Sequence, residues 1–193
     1  MLVEIENLPK NSRVLLHTCC SACLASSLDF FINRNSLPSI FYFNPNIHPY
    51  NEYLKRRESL LAWLKLYHPE SNFIEGLYDL KDYFQAVSGS ENYPERCRFC
   101  YRIRLHETAK IALELGYNYF STTLFASPYQ QHKVVLEESL RAAETFDLSV
   151  VHFIMDKKDY RKKIETYKNN GLYYQSYCGC LFSEFERYSN FKR

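Results

Sequence analysis

The sequence predicts an α/β protein built on a mostly parallel sheet with helices on both faces. Two observations carry this expectation. Short apolar runs rich in Val, Leu, Ile and Phe recur along the 193 residues, and most are followed by a longer stretch with helical spacing of its apolar positions. Strands that alternate with helices in this way pair in parallel, because each crossover returns the chain to the same end of the sheet. With 46% hydrophobic residues, a chain of this length can close one sizeable core, so a single domain over 1–193 is expected.

The first strand is Val14-Leu15-Leu16-His17, which runs straight into Thr18-Cys19-Cys20-Ser21-Ala22-Cys23, and Leu24 to Ile32 reads as the following helix. In such sheets ligands sit beyond the carboxyl ends of the strands, where Cys19 and Cys20 fall. Ser39 to Phe43 is a second strand, ended by the turn sequence Asn44-Pro45-Asn46. Pro49 suits the first turn of a helix, which buries Tyr53, Leu60, Leu64 and Tyr67, leaves Lys55, Arg56 and Arg57 outside, and ends near His68-Pro69. Asn72 to Leu77 is a short third strand, and Ser88 to Pro94 a loop that delivers Cys97.

A helix carrying Leu105, Ala109 and Ala112 stops at Gly116. Tyr117 to Leu124 is the fourth strand. The helix from about Tyr129 to Phe146 buries Leu136, Leu140 and Ala143 and can pair Glu137 with Arg141 on its exposed side. Val150 to Met155 is the fifth strand, and beyond Asp156 the pattern lapses into a basic, tyrosine-rich tail. No internal repeat or low-complexity tract interrupts the chain.

Composition narrows the class of function. The amino terminus lacks the basic start and apolar centre of a signal peptide, and no uncharged apolar run reaches the roughly 18 residues of a membrane span. A cytoplasmic protein without a membrane partner is expected. Thiols are kept reduced there, so seven cysteines, an odd number, point to metal binding or redox work more than to structural disulfides. A net charge of +2 does not by itself identify a nucleic-acid binder. No phosphate loop ending in Gly-Lys-Ser/Thr occurs, and five glycines in all argue against a glycine-rich nucleotide cradle, so no ATP is expected.

The cysteines form three groups. Two residues between Cys97 and Cys100 let both sulfurs face one metal centre, and thiolates suit zinc or iron–sulfur clusters. Placed just before a helix, this pair would gain from the partial positive charge of the helix N-terminus, reinforced by Arg96, Arg98, Arg102 and Arg104. A four-thiolate site needs one more pair, and Cys19 with Cys20 is available, Cys23 being able to replace one of them. Adjacent cysteines are awkward for tetrahedral zinc but workable for a cluster, whose irons are separate ligation points. From the residues alone an iron–sulfur or other redox centre, a zinc knot that staples loop to sheet, and inert buried thiols all stay open. Cys178-Gly179-Cys180 is equally open: a strained, easily reduced disulfide, a dithiolate for a second metal, or a third pair of zinc ligands.

Weaker signals surround these groups. His17 can donate to a sulfur or serve as a satisfied core histidine. Thr122, Thr123 and Ser127 stand where phosphate is bound at a helix start, or where a helix is merely capped. Tyr173, Tyr174 and Tyr177 can stack on an unstacked base or pack the tail. Lys157, Lys158, Arg161, Lys162 and Lys163 read as a solvated helix face more than as a nucleic-acid track.

Four motifs together resemble epoxyqueuosine reductases of the QueH family: His17-Thr18-Cys19-Cys20; Arg96-Cys97-Arg98-Phe99-Cys100-Tyr101 with Arg104-Leu105; Ser121-Thr122-Thr123-Leu124 with Ser127-Pro128-Tyr129-Gln130; and Gln175-Ser176-Tyr177-Cys178-Gly179-Cys180. They run in the same order from about residue 13 to residue 183. One departure is Ser21-Ala22, where family members often carry a proline before the third cysteine. The resemblance implies a fold akin to PP-loop-type nucleotide-binding domains, without the ATP motif, and as substrate a tRNA carrying epoxyqueuosine at the wobble position. It also implies a 4Fe-4S cluster on Cys19, Cys20, Cys97 and Cys100. Cys178 and Cys180 would form the redox-active pair or bind an additional iron, assisted by Cys23 or an acidic residue such as Asp29. Such an enzyme needs an electron donor that the sequence does not identify. The competing classes are a non-catalytic zinc-stapled RNA-binding module, an ATP-using PP-loop-like enzyme and a thiol–disulfide oxidoreductase.

Overall fold

A computed structural model describes residues 1–189; residues 190–193 lie outside the described part. Six strands form one wholly parallel sheet: β1 (Leu2–Glu4), β2 (Val14–His17), β3 (Ser39–Tyr42), β4 (Phe73–Glu75), β5 (Tyr119–Thr122) and β6 (Ser149–His152), in the order β1-β6-β5-β2-β3-β4. The helices among the described residues are α1 (Ser21–Ile32), α2 (Tyr50–Tyr67), α3 (Leu80–Val87), α4 (Glu95–Glu114), α5 (His132–Phe146), α6 (Lys157–Asn169) and α7 (Leu181–Tyr188).

The chain winds outward from β2 through β3 to β4, then crosses back to β5 on the other side of β2 and winds outward again. Right-handed crossovers therefore place helices on opposite faces in the two halves. Helix α1 packs on α2 and α6, while α4 and α5 pack on each other and against β2, β5 and β6. Buried on both sides, β2 exposes none of its four residues, and Leu15, Leu16, Phe41, Phe120 and Val150 form the middle of the core. The strand order reverses between β2 and β5, and the crevice beyond their carboxyl ends is the expected ligand position of such a sheet.

Several expectations shift. Leu2–Glu4 adds a sixth strand, paired with β6, that three residues alone could not announce. Helix α1 begins at Ser21 because the Cys20 sulfur caps it, accepting from the Cys23 N–H. The Tyr117–Leu124 run gives only four strand residues before tightening into a 3₁₀ turn at Thr123–Phe125, and α5 starts at His132, after the Ser127–Gln131 turn. The tail is helical: Asp156 caps α6 through the Lys158 N–H, and Tyr160, Ile164 and Tyr167 bury its inner face. Tyr67, expected inside, is exposed, and Arg56, expected outside, is buried. Glu137 pairs with Arg98 rather than Arg141, which instead approaches Glu138. No helix among the described residues is long and apolar enough to cross a membrane.

Candidate metal centre

At the crevice between β2 and β5, a cleft of about 750 Å³ is lined by six of the seven cysteines: Cys19, Cys23, Cys97, Cys100, Cys178 and Cys180. The seventh, Cys20, lies just beneath it, fully buried. Cys19, Cys20 and Cys23 bring their sulfurs within 4.8 Å of one another. The geometry follows from the fold, since β2 ends and α1 begins within three residues, so strand end and first helical turn hold all three thiols.

Cys20 accepts from the Cys23 N–H at 3.4 Å and from Gln175 Nε2 at 2.9 Å, and its sulfur lies 3.9 Å from that of Cys19. Hydrogen bonds from Cys19 and Cys23 hold the Cys20 thiol well below its usual range, and those two thiols are pushed up in return. Of the three thiols of this corner, Cys20 is the one whose deprotonated form the surroundings favour. Across the crevice, Thr123 Oγ1 sits 3.7 Å from the Cys19 sulfur.

Cys97 and Cys100 stand on the opposite wall, inside the first turns of α4 rather than ahead of it. Burial pushes Cys97 up to about 11 and Cys100 up as well. The helix start does not outweigh this desolvation. Of the four arginines expected to help, only Arg96 and Arg104 act on this pair. Arg98 and Arg102 are turned away onto Glu138, with Arg98 also on Glu137. Cys100 shares a small apolar cluster with Cys180, Tyr83 and Val87.

The loop carrying Cys178 and Cys180 is fixed from a distance. Arg56 donates to the Cys178 carbonyl at 2.9 Å and to that of Tyr177 at 3.3 Å, while Glu52 holds its Nε at 2.7 Å. The His48 N–H donates to the Gly179 carbonyl at 2.8 Å, and Tyr177 donates to the His48 carbonyl. Gly179 has φ +134°, and a Cβ there would meet Ile47 Cγ1 at 3.0 Å and Arg56 Nη1 at 3.1 Å, so only glycine fits. All seven cysteines are free thiols, and the Cys178–Cys180 disulfide considered from the sequence is not formed.

Two candidates drop out. Asp29 is ion-paired with Lys163 on the outside of α1, remote from the cleft. His17 touches no sulfur; it bonds Thr122 Oγ1 and the Phe43 carbonyl, and burial, followed by the charge of Arg104, lowers it to about 3. Thr122 also accepts from the Leu124 N–H and caps the 3₁₀ turn, while Ser127 accepts from the Tyr129 N–H inside the turn that precedes α5. Tyr174 and Tyr177 line the cleft and Tyr173 bonds Glu52.

Sequence reasoning missed Asn46, Arg56 and Gln175. A periodicity signal existed for Arg104, which follows Cys97 and Cys100 on one helical face. Four residues on the cleft carry buried polar atoms without a partner among the described residues: the Asn46 amide, Arg96 Nε, Arg104 Nη2 and Gln175 Oε1. Orphaned buried polar atoms are uncommon unless a ligand or water satisfies them. Together with the thiols they form a donor set suited to a thiophilic metal group.

Fold and site define a PP-loop-like α/β protein whose switch-point crevice is lined with thiols instead of a glycine-rich phosphate cradle. The same fold occurs in the U34-tRNA thiolase NcsA from Methanococcus maripaludis, solved with its 4Fe-4S cluster (TM-score 0.58, 11% identity, 92% of this chain and 63% of that one). It occurs also in a predicted subunit of tRNA methyltransferase from Methanocaldococcus jannaschii (TM-score 0.55, 12% identity, 86% and 94%). At these identities the likeness concerns the fold alone. The model of the family epoxyqueuosine reductase QueH matches residues 14–186, and the chain belongs to that family. It is 35% identical to the epoxyqueuosine reductase QueH of Dehalococcoides mccartyi, over 91% of this chain and 94% of that protein. To the Acinetobacter baylyi protein of the same name it is 32% identical, over 91% and 83%.

Proposed function

We propose that this protein reduces epoxyqueuosine to queuosine in tRNA, and that its cleft holds a 4Fe-4S cluster on Cys19, Cys20, Cys97 and Cys100. The observation that carries this reading is the convergence of six thiols on one switch-point cleft in a chain of this family. Cys23 lies close enough to Cys19 and Cys20 to serve the same centre or an additional iron.

Turning an epoxide into an alkene consumes two electrons and two protons and releases the oxygen as water. The cluster, when bound, supplies electrons one at a time. Cys178 and Cys180 act beside it. As a dithiol closing to a disulfide they release two electrons and two protons; as thiolates they ligate an additional iron. A separate reductant restores the resting state, and no ATP step is involved. The cleft takes a base out of its stack: Tyr174 and Tyr177 offer ring faces, with the Lys168 ammonium 4.1 Å from the Tyr174 ring centroid.

The test is iron, zinc and acid-labile sulfide analysis of protein purified without oxygen, followed by turnover on epoxyqueuosine-containing tRNA. About four irons and four sulfides per chain with turnover are expected, and a fifth iron assigns Cys178 and Cys180 to metal. Zinc without sulfide, and no turnover after reconstitution, would replace the reductase by a stapled RNA-binding module.

A further inference from the structure

Three arginines among the described residues are buried, and they are compensated differently. Arg56 is held by Glu52, and Arg96 by Glu186. Arg104, 1% exposed, has no carboxylate partner among the described residues. Its Nε donates to the Cys100 carbonyl at 3.3 Å, its Nη1 reaches Asn44 Oδ1 only at 3.5 Å, and its Nη2 meets no acceptor. A guanidinium cannot shed its proton, so the group stays charged. Burying a charge without a counter-ion is strongly unfavourable. The protein carries this cost at the floor of the cleft, where Cys100, Cys178, Cys19 and Tyr101 are the groups whose charge acts most on Arg104, and Cys97 and His17 also feel it.

We propose that Arg104 is a built-in counter-charge for the thiolate centre, an unpaired buried cation whose compensating negative charge arrives with the metal group. The inference rests on the reading of the cleft as a cluster site. Metal binding strips protons from cysteines, so a thiolate-ligated cluster brings net negative charge into the cleft. Reduction adds one more. A fixed cation beside the centre favours the reduced state, which raises the reduction potential. Arg104 is a positioning and tuning residue here, not a catalytic one.

The two states of the protein then respond oppositely to its removal. Without metal, Arg104→Met relieves an uncompensated charge, and thermal unfolding should come no earlier than in wild type. With the cluster reconstituted, the same variant should show a lower potential by spectroelectrochemistry. At the wild-type midpoint its ratio of reduced to oxidised cluster should fall at least tenfold, a shift of 59 mV for one electron. Arg104→Lys, which keeps the charge, should stay within that tenfold window. A methionine variant that loads fully and keeps the wild-type potential overturns the proposal, as does a lysine variant shifted as far as methionine. If the methionine variant does not fold, the lysine potential decides by the same tenfold criterion. Wild-type protein that takes up no iron or sulfide removes both the cluster reading and this inference, whereas loaded wild type with an indifferent Arg104 removes the inference alone.

Discussion

Cys19, Cys20 and Cys23 and the Cys178-Gly179-Cys180 loop face the same cleft, but they are held there by different physics. The first group hangs on a strand end and a helix cap, so backbone hydrogen bonds fix it within three residues of the sheet. The second sits on irregular chain and is fixed by groups from more than 100 residues away, chiefly the Arg56 side chain and the His48 backbone. A group built into regular structure resists local opening, whereas a pinned loop can be released by one substitution. That difference suits a resident ligand site on one side and a working pair on the other.

The sharpest break is at the thiols themselves. Cys20→Ser should drop iron and sulfide per chain close to the blank, whereas Cys178→Ala should keep the visible spectrum and lose turnover; full turnover by Cys178→Ala would end its assigned role. Arg56→Met comes next. It leaves Glu52 buried without its cation and unties the loop, a loss of about 3–5 kcal/mol in urea unfolding. Gly179→Ala forces a Cβ into a positive-φ position against Ile47 and should cost about 1–3 kcal/mol, with turnover falling while the Cys19 corner keeps its iron.

Acid gives the gentlest probe. Burial lowers His48 to about 4, from a model-peptide value of 6.5. Between these values the unfolded chain binds the proton and the folded one does not, so stability is full above pH 6.5 and is lost as pH falls towards 4. The slope is about 1.4 kcal/mol per pH unit. Buried His17, lowered to about 3, adds an equal slope over this range, so His48→Phe, which can keep the ring contacts with Tyr83 and Phe84, should reduce the total by about half in urea melts at pH 4.5 to 7.

The Cys19 corner was legible because its signals are local: an apolar strand, then cysteines, then helical spacing. The strand and helix alternation from Val14 to Phe146 was legible for the same reason, except α3 (Leu80–Val87), which the sequence alone did not reveal. The loop was not, because nothing near Arg56 in sequence announces that it is buried; helical periodicity puts it on the polar side, and its partners lie 121 and 122 residues on. The basic face of α6 was legible as a solvated helix face, but its inner face was not, because two of its three buried positions are tyrosines in a strongly basic stretch. The raised thiols of Cys97 and Cys100 come from burial, which the sequence does not announce, and two of the four nearby arginines cannot oppose it because Glu137 and Glu138 on a different helix hold them.

Glu138 has a further consequence. Its buried carboxylate takes Arg98 and Arg102 from α4, with Arg141 close by, and so rivets α4 to α5. The wall bearing Cys97 and Cys100 is a fixed jaw. The facing side, from the tyrosine-rich loop through α7, buries no residue of that helix. Helix α7 is tied to the fixed jaw through the Arg96–Glu186 pair but is otherwise the less firmly held side, so amide hydrogen exchange should be faster in α7 than in α4.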